Sequence, residues 1–581
     1  MCGIVGYAGW RDAESVLVEG LRALEYRGYD SYGLAILSDG AVSVVKDAGR
    51  ISDYRTGGTI YSGTVGIGHT RWATHGVPSA INAHPHTDCT GNFAIVHNGI
   101  IENYSALRSE LAAAGHVFAS ETDSEVIAHL FEACYDGDMM AALRQVTGRL
   151  EGSYAVLVIA AQEGVIAAAR NRSPLVIGVG DGEVVCASDL VPVIPYTREV
   201  IFLEDGDCAV VSKDALWIEN GGDVVTRAPE FIAYDPESAK KTGFAHYMIK
   251  EIFEEPEAFS RTLNAMQDTE EMQRVMEGAA RVTVVASGTS YHAGMIFRYL
   301  MEEFSTIPVR TEIASEFRYV RPSPDEVVLV ISQSGETADA LAALRRAKFH
   351  RCRTVALTNT LGSSITREAD HVFYTMAGPE ISVAATKSFI AQLAALMKMV
   401  SLSRGASCSL LLADVKQAIE AVLQLEMIRA TDLCAGASTL IAIGRGVFYP
   451  VALEGALKMK EISYIHAEGY AGGELKHGPI ALLSGETPVI AFVPPGETRT
   501  LMIGNLKEIA SRQAPIIAFA DPDDVDVADI AEVVIPVRHR NVFADVAAYT
   551  VAAQMLSYEV AKKLGRDIDK PRNLAKSVTV E

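Results

Sequence analysis

The second half of the chain repeats itself, and that repeat restricts the fold more than any other feature of the sequence. The apolar run Val282–Ala286 meets Gly288 and a helical pattern, with Glu312 24 positions beyond the glycine; Leu440–Ile443, Gly444 and Glu468 keep the same spacing. A second register agrees. Val327–Ile331 runs into Ser334-Gly335-Glu336-Thr337, and Val489–Val493 into Pro495-Gly496-Glu497-Thr498. Further on, Thr354–Leu357 precedes Ala369-Asp370-His371-Val372, just as Ile516–Ala520 precedes Ala531-Glu532-Val533-Val534. Short apolar runs alternating with amphipathic helices belong to parallel strands covered on both faces. The expectation is two doubly wound parallel-sheet α/β domains in tandem, at 246–405 and 406–565. A tail over 566–581 either frays or reaches into a site.

The first 232 residues read differently. Short strands (Ile4–Tyr7, Val65–Gly68, Ala94–His97, Tyr154–Ala160, Val184–Ala187, Val200–Leu203, Cys208–Val211) are broken by Gly and Asp turns, with helices expected mainly at Ala13–Leu24 and Asp123–Tyr135. Many strands and few helices predict stacked antiparallel sheets with helical cover, an α+β unit. The polar stretch around Tyr234–Thr242 is the expected linker, placed at 233–245. For 581 residues the length prior is about four domains; the repeat reduces it to three.

A net charge of −22 argues against a nucleic-acid backbone or an anionic membrane as partner. A small anionic ligand then needs a locally positive pocket, and Lys387, Lys458, Lys476 and Lys576 are the candidates. Eight cysteines without a CxxC pair predict neither structural zinc nor a disulfide frame. No apolar run approaches the roughly 18 residues of a membrane helix, and the start Met-Cys-Gly-Ile-Val-Gly has no secretory pattern, so a cytoplasmic protein is expected.

Cys2 becomes chain-terminal if Met1 is removed. Its α-amino group, with an ordinary pKa of about 7.7–8.0, could then take the thiol proton. By itself a cysteine at position 2 says little. Arg71, Trp72, Thr74 and His75 follow the strand Val65–Gly68, and Asn98 and Gly99 follow another. A side-chain amide and a Gly N–H are the donors an oxyanion hole uses. Arg71 offers a fork for an α-carboxylate and Asp123 a partner for an α-ammonium; Thr122 or Asp123 reads equally as a helix cap, and His75 as a structural histidine. Taken together, MCGIVGY, YRGYDS, TRWATHG, HNGIIENY and SETDSEV resemble the N-terminal-nucleophile glutamine amidotransferases. The resemblance implies a four-layer αββα sandwich in which Cys2 attacks the glutamine amide and Asn98 and Gly99 hold the oxyanion. It also implies that Arg71, Trp72, Thr74, His75 and Asp123 bind glutamine, with Arg27 and Trp72 closing the site and gating ammonia.

In the repeated half, SQSGET (332–337) at a strand-to-helix turn can cradle a phosphate at a helix N-terminus, as can SGTS (287–290); a plain cap is the competing reading. The second copy keeps the turn as PPGET but loses the hydroxyls. Lys458 and Glu461 are three apart on one helical face, a spacing that a surface salt bridge also has. His466, Glu474, Lys476 and His477 follow, and Lys576 in the tail is an amine able to form a Schiff base with a sugar carbonyl.

These motifs resemble sugar isomerase domains, and their order after a glutaminase-like domain resembles the isomerizing glutamine–fructose-6-phosphate aminotransferases. By that resemblance Thr289, Ser290, Ser332, Gln333, Ser334 and Thr337, with Val383 and Ala575, bind the sugar phosphate. Glu461 moves a proton between C1 and C2 with help from Lys458, and Lys576 holds the open-chain ketose. His477 opens the sugar ring from a neighbouring subunit, which implies a homodimer. L-glutamine and D-fructose 6-phosphate are the implied substrates, with no metal, nucleotide or other cofactor. Departures from the family pattern are Ala385, Ser287, and Gly469 and Gly472, the last two expected to loosen a turn. A sugar-phosphate isomerase or deaminase with a vestigial glutaminase, and a non-catalytic sugar-phosphate sensor, are the rival readings.

Overall fold

The computed structural model describes residues 2–56, 62–73, 75–232, 241–266, 269–404 and 410–578. Most of the expected linker, the glutamine-binding candidate Thr74 and the last three residues lie outside the described residues. The chain divides into two compact units, with boundaries in the sequence near residue 240 and after Lys576.

The first unit holds an eight-stranded and a seven-stranded sheet, and the strand pairings within them are antiparallel. Strands β1 (Gly3–Ala8) and β2 (Val65–Arg71) are neighbours in the larger sheet, while β3 (Phe93–Ile101) belongs to the smaller. Alternate side chains of both sheets, among them Ile4, Ile67, Val96, Leu157 and Ile177, form a common apolar layer. Helix α1 (Ala13–Ala23) covers β1 and β2; α2 (Tyr104–Ala113) and α3 (Glu125–Cys134) cover the smaller sheet through Leu107, Ile127 and Phe131. The result is the αββα sandwich that the strand-rich reading allowed. Two local expectations change. Asn98 and Gly99 lie within β3, not in a turn after it. The N-cap of α3 is Ser124, without a side-chain cap bond, so neither Thr122 nor Asp123 is spent on capping.

The second unit carries the repeat. Strands β4 (Arg281–Ala286), β5 (Val309–Ile313), β6 (Glu326–Ser332), β7 (Arg353–Thr358) and β8 (His371–Tyr374) form a parallel sheet in the order β5-β4-β6-β7-β8. The second copy, β9 (Thr439–Gly444), β10 (His466–Ala471), β11 (Val489–Val493), β12 (Ile516–Ala520) and β13 (Val533–Pro536), has the identical order β10-β9-β11-β12-β13. The register repeats too: Val285 pairs with Glu312 and Ile441 with Glu468. In such a sheet the chain reverses direction of travel beside the first strand, and the crevice at that switch point is where loops can hold a ligand.

The two copies do not pack as separate bodies. Helices α4 (Gly288–Phe304), α5 (Ala338–Phe349) and α6 (Lys387–Arg404) belong to the first copy, and α7 (Phe448–Ser463) and α8 (Val542–Lys563) to the second. One apolar core runs through Phe297, Phe389, Leu393, Val451, Phe492 and Tyr549, drawing on both. Helix α8 is buried almost all round, as its lack of a polar stripe requires. The tail is anchored rather than frayed: Asp569 accepts the Tyr247 and Met248 N–H groups, both at 3.0 Å, and Arg572 lies over the Tyr464 ring.

Gly469 and Gly472 do not loosen a turn. Gly469 sits in strand β10, where a Cβ would come within 2.8 Å of the Leu453 Cα on α7; at Gly472 it would meet the Asn505 amide oxygen at 2.8 Å. Gly469 lets α7 close on the strand, and Gly472, just past its end, makes room for the Asn505 and Met502 side chains of the helix Arg499–Ala510. Gly469→Ala is expected to cost about 1–3 kcal/mol through overpacking, read as a lower denaturant midpoint.

Candidate active sites

In the first unit, β1 and β2 bring the start of the chain beside residues 71–76. The Trp72 N–H donates to Cys2 Sγ at 3.2 Å. Burial pushes the Cys2 thiol up, while the Trp72 bond and the nearby Arg71 guanidinium pull the other way. From β3, the Asn98 side-chain Nδ2 donates to the Cys2 carbonyl at 3.0 Å. Its other end is fixed, because His69 Nε2 lies 3.1 Å from Asn98 Oδ1 and 3.1 Å from the His97 carbonyl. Burial drives His69 down to about 3, so the ring is neutral and donates from Nε2. His69 opens the HTRWATHG motif, and the sequence reading passed over it; a buried histidine between two fixed acceptors leaves no mark in spacing. Gly99 has φ +130°, and a Cβ there would collide with the Ser153 carbonyl oxygen at 1.9 Å, so only glycine fits.

Arg71 is buried, and its Nη2 donates to the His75 and Gly76 carbonyls, while Nη1 has no hydrogen-bond partner among the described residues. Asp123 is buried at the other side of β3, with Oδ2 accepting the Ile101 N–H at 2.8 Å and Oδ1 3.9 Å from His75 Nδ1. Trp72 stacks edge-on with Tyr29 at 5.3 Å. Arg27, expected as a gate, is tied to the Asp189 carboxylate at 2.5 Å and the Ser188 carbonyl at 3.2 Å.

In the second unit, the loops after β4 and β6 flank the switch point of the first sheet. Ser332 ends β6, and its Oγ accepts the Gly335 N–H at 3.1 Å and lies 3.0 Å from the Thr337 hydroxyl; Ser334 Oγ accepts the Glu336 N–H at 3.2 Å. Thr337 is the N-cap of α5 without a side-chain cap bond, and Gln333 stands in the same turn. Ser290 accepts from the Gln392 amide at 3.0 Å. Thr289 points elsewhere. It donates to Glu454 at 3.0 Å and accepts from Lys458 Nζ at 3.0 Å, which joins it to the acid/base group rather than to the hydroxyl turn.

That group is a buried network across the repeat. Lys458 is fully buried on α7, 2.6 Å from Glu461 and 3.4 Å from Glu454, and His292 from α4 lies 2.7 Å from Glu454. Burial would lower the Lys458 ammonium, but Glu454 and Glu461 outweigh it and hold the amine charged. Lys458–Glu461 is therefore not a surface salt bridge, and Glu461 is the partly open end of the chain of charges, with its side chain 21% exposed. Glu454 and His292 were not singled out from sequence, although Glu454 lies one helical turn before Lys458, the spacing that could have found it.

Other expected groups are placed apart. His477 is exposed on the short turn Glu474–His477, and Lys476 pairs with Glu508 at 2.6 Å on the surface. His466 lies in β10, exposed, 3.5 Å from Glu468. Lys576 is buried, donating to the Glu380 carboxylate and to the Ser382 carbonyl at 2.8 Å. Val383 donates its N–H to the Asp569 carbonyl at 3.0 Å, and Ala575 precedes Lys576 in the half-buried tail.

Fold and sites together define a class: an amidotransferase sandwich joined in one chain to two phosphosugar-isomerase-type sheets. Comparison with known proteins agrees. Residues 69–194 match the glutamine amidotransferase domain, and residues 276–402 and 433–562 each match the SIS domain. The chain is 46% identical over its whole length and that of the relative to glutamine–fructose-6-phosphate aminotransferase [isomerizing] of Symbiobacterium thermophilum, and 44% identical, again end to end, to that of Chlorobaculum tepidum. Among solved structures, it is similar to the C-terminal domain of glucosamine-fructose-6-phosphate aminotransferase from Francisella tularensis, at 36% identity and a TM-score of 0.52, covering 57% of this chain and 99% of that one. The chain belongs to the family of isomerizing glutamine–fructose-6-phosphate aminotransferases.

The buried carboxyls around the tail generate a pH signature. Burial would raise Glu380, but Lys576 and the Ser388 hydroxyl and N–H hold it down at about 2. At Glu251 burial first, then the Glu380 charge, outweigh the pull of Lys387, Lys576 and the Ile381 N–H and push it up to about 8. Folded chains then keep a proton on Glu251 that unfolded chains release, so this carboxyl erodes stability as pH rises from about 4.5 to about 8. Glu251→Gln keeps an acceptor for the Ile381 and Ser382 N–H groups. Calorimetry should show a flatter dependence of Tm on pH across that window, with a higher Tm than wild type at its upper end.

Proposed function

We propose that the chain hydrolyses L-glutamine at Cys2 and uses the ammonia to convert D-fructose 6-phosphate into D-glucosamine 6-phosphate. The observation that carries this reading is the charged network Glu461–Lys458–Glu454, joined to Thr289 and His292, beside a hydroxyl-lined turn that suits a phosphate. A sensor needs the turn but has no use for the network.

On removal of Met1, the α-amino group of Cys2 takes the thiol proton, and the thiolate attacks the glutamine amide carbon. The oxyanion that forms is held by Asn98 Nδ2, whose direction His69 fixes, and by the Gly99 N–H. Arg71, whose Nη1 has no partner among the described residues, suits the α-carboxylate, and the buried Asp123 suits the α-ammonium, with His75 near it; Thr74 is assigned to glutamine by the family resemblance alone. Ammonia leaves, and water releases L-glutamate from the thioester. Trp72 and Arg27 are assigned to gating, which requires Arg27 to leave Asp189.

In the second unit, Ser290, Ser332, Gln333, Ser334, Thr337 and the N-terminus of α5 bind the phosphate, with the Val383 and Ala575 backbones along the sugar. Ammonia adds to C2 of the open-chain ketose and water is lost, giving an imine. Glu461 removes the C1 proton and returns it to C2, which leaves the amino aldose. Lys458 positions Glu461 through their 2.6 Å ion pair. Lys576 holds the open ketose and must exchange Glu380 for the sugar to do so. His477, exposed in its own chain, is assigned to ring opening in a second copy, so the working enzyme is a homodimer. No described helix is long and apolar enough to cross a membrane, and the cytoplasm is the proposed location.

Cys2→Ala is expected to abolish synthesis with glutamine while sparing synthesis with added ammonium; equal loss of both would refute the division of labour. Asn98→Ala should lower glutaminase kcat by about 10²–10³-fold with little change in ammonium-supported synthesis. Glu461→Gln should abolish formation of the amino sugar from either nitrogen source while leaving glutamine hydrolysis measurable.

A further inference from the structure

Four side chains that the glutamine chemistry does not use meet at the helical face of the first unit. Cys89 follows the short strand His86–Thr87, His116 follows α2, and His129 and Glu132 stand one turn apart on α3. Cys89 Sγ lies 3.5 Å from His129 Nδ1 and 3.9 Å from His116 Nδ1. Glu132 Oε2 lies 2.8 Å from His116 Nδ1 and 3.3 Å from His129 Nδ1. One ligand atom from each residue falls within 4.8 Å of all the others.

A tetrahedral zinc ion, with bonds of about 2.0–2.1 Å to nitrogen, about 2.0–2.2 Å to oxygen and about 2.3 Å to sulfur, spaces its ligand atoms about 3.3–3.6 Å apart. The observed separations bracket that value. One thiol, two imidazoles and one carboxylate form a borderline-soft donor set, which suits zinc and not magnesium or calcium, whose ligands are oxygens. We propose that Cys89, His116, His129 and Glu132 bind one Zn²⁺ ion in a closed, four-ligand structural site.

The surroundings are those of a built site. The Val117 N–H donates to Cys89 Sγ at 3.3 Å, a bond that stabilises a thiolate. His129 is buried, and its second ring nitrogen, Nε2, has no hydrogen-bond partner but faces the Glu125 carboxylate at 3.7 Å. A carboxylate behind the outer nitrogen is what orients a metal-ligating imidazole. Without an ion, two imidazoles compete for one Glu132 oxygen and the thiol adds little to any of them; with one, all four donors have a common purpose. Four protein ligands leave no open position for a substrate, so the ion is structural. It ties two loops to α3, whose N-cap Ser124 follows Asp123, and so steadies a proposed glutamine-binding residue from outside the site. Cysteine spacing cannot show the site, since it contains one cysteine, with one partner from the loop after α2 and two from α3.

The test uses the full-length, untagged chain. Zinc is titrated against a chromophoric chelator, and bound metal is counted by mass spectrometry after dialysis. One zinc per chain is expected. Cys89→Ser and His116→Ala should each weaken binding by at least the roughly 10–100-fold that loss of an outer-sphere partner costs. Cobalt in place of zinc should give a thiolate-to-metal charge-transfer band and strong tetrahedral ligand-field bands, and Cys89→Ser should remove the former. Cys89 is exposed and His116 lies on a loop, so both variants should fold, as circular dichroism will show. A chain that binds no stoichiometric zinc, or binds it equally in both variants, overturns the proposal.

Discussion

The buried ammonium of Lys458 is the constraint around which the second unit is organised. A lone charge with no solvent exposure would be several kcal/mol too costly to keep, and a neutral amine would serve the chemistry badly. The solution draws on both copies of the repeat: Glu454 and Glu461 come from the same helix, Thr289 and His292 from α4 in the other half. A charge satisfied by two halves holds them together, and the single core they share follows from the same arrangement. The duplicated sheets are thus not two independent modules set side by side. Each supplies what the other lacks.

Charge elsewhere in the unit obeys the same rule, and it alters the account of how an acidic protein can take an anionic substrate. Every lysine that looked available to offset the negative field is already matched: Lys387 with Glu254, Lys458 with Glu454 and Glu461, Lys476 with Glu508, Lys576 with Glu380. Positive potential for a phosphate must then come from the backbone. Helix α5 points its unpaired N–H groups at the Ser332–Thr337 turn, and hydroxyls there rotate to donate. Such a site is selective for an anion without adding a full charge that would need burying. In the proposed mechanism, pairing Lys576 with Glu380 means that a sugar must compete for the amine.

Much of this was legible in the sequence because it depends on period and spacing. The repeat predicted both sheets, down to the equivalent pairing of Glu312 and Glu468, since the register of a buried parallel strand is written in its apolar run. Five of the seven expected sandwich strands fall within two residues of the observed ones, Val65–Arg71 and Phe93–Ile101 run three and four residues further, and strands such as Ser31–Ser38 and Ala41–Ala48 were not expected. Less visible were features set by three-dimensional neighbours. Asn98 and Gly99 continue a strand because Ala155 and Tyr154 pair with them, a partner more than fifty residues away. His69, Glu454 and His292 act through burial, which no local pattern reports. Gly469 looked like looseness in a turn and proved to be a contact point, because what matters is the Leu453 backbone packed on it.

The divergence between the two copies follows from the geometry of the switch point. Each sheet offers one crevice, formed by the loops after its first and third strands, and a single crevice cannot easily hold both a dianionic phosphate and a carboxylate that must gain and lose a proton. Placed close together, the two negative groups would raise the carboxylate's affinity for its proton and slow its release. Dividing the tasks separates them: the first copy keeps hydroxyls and a helix N-terminus at its crevice, the second gives up its hydroxyls and carries on α7 the Lys458–Glu461 pair proposed as acid and base. Thr289, in the first turn of α4 in one copy and bonded to the charges of the other, is the point at which the divided halves of the proposed site are joined.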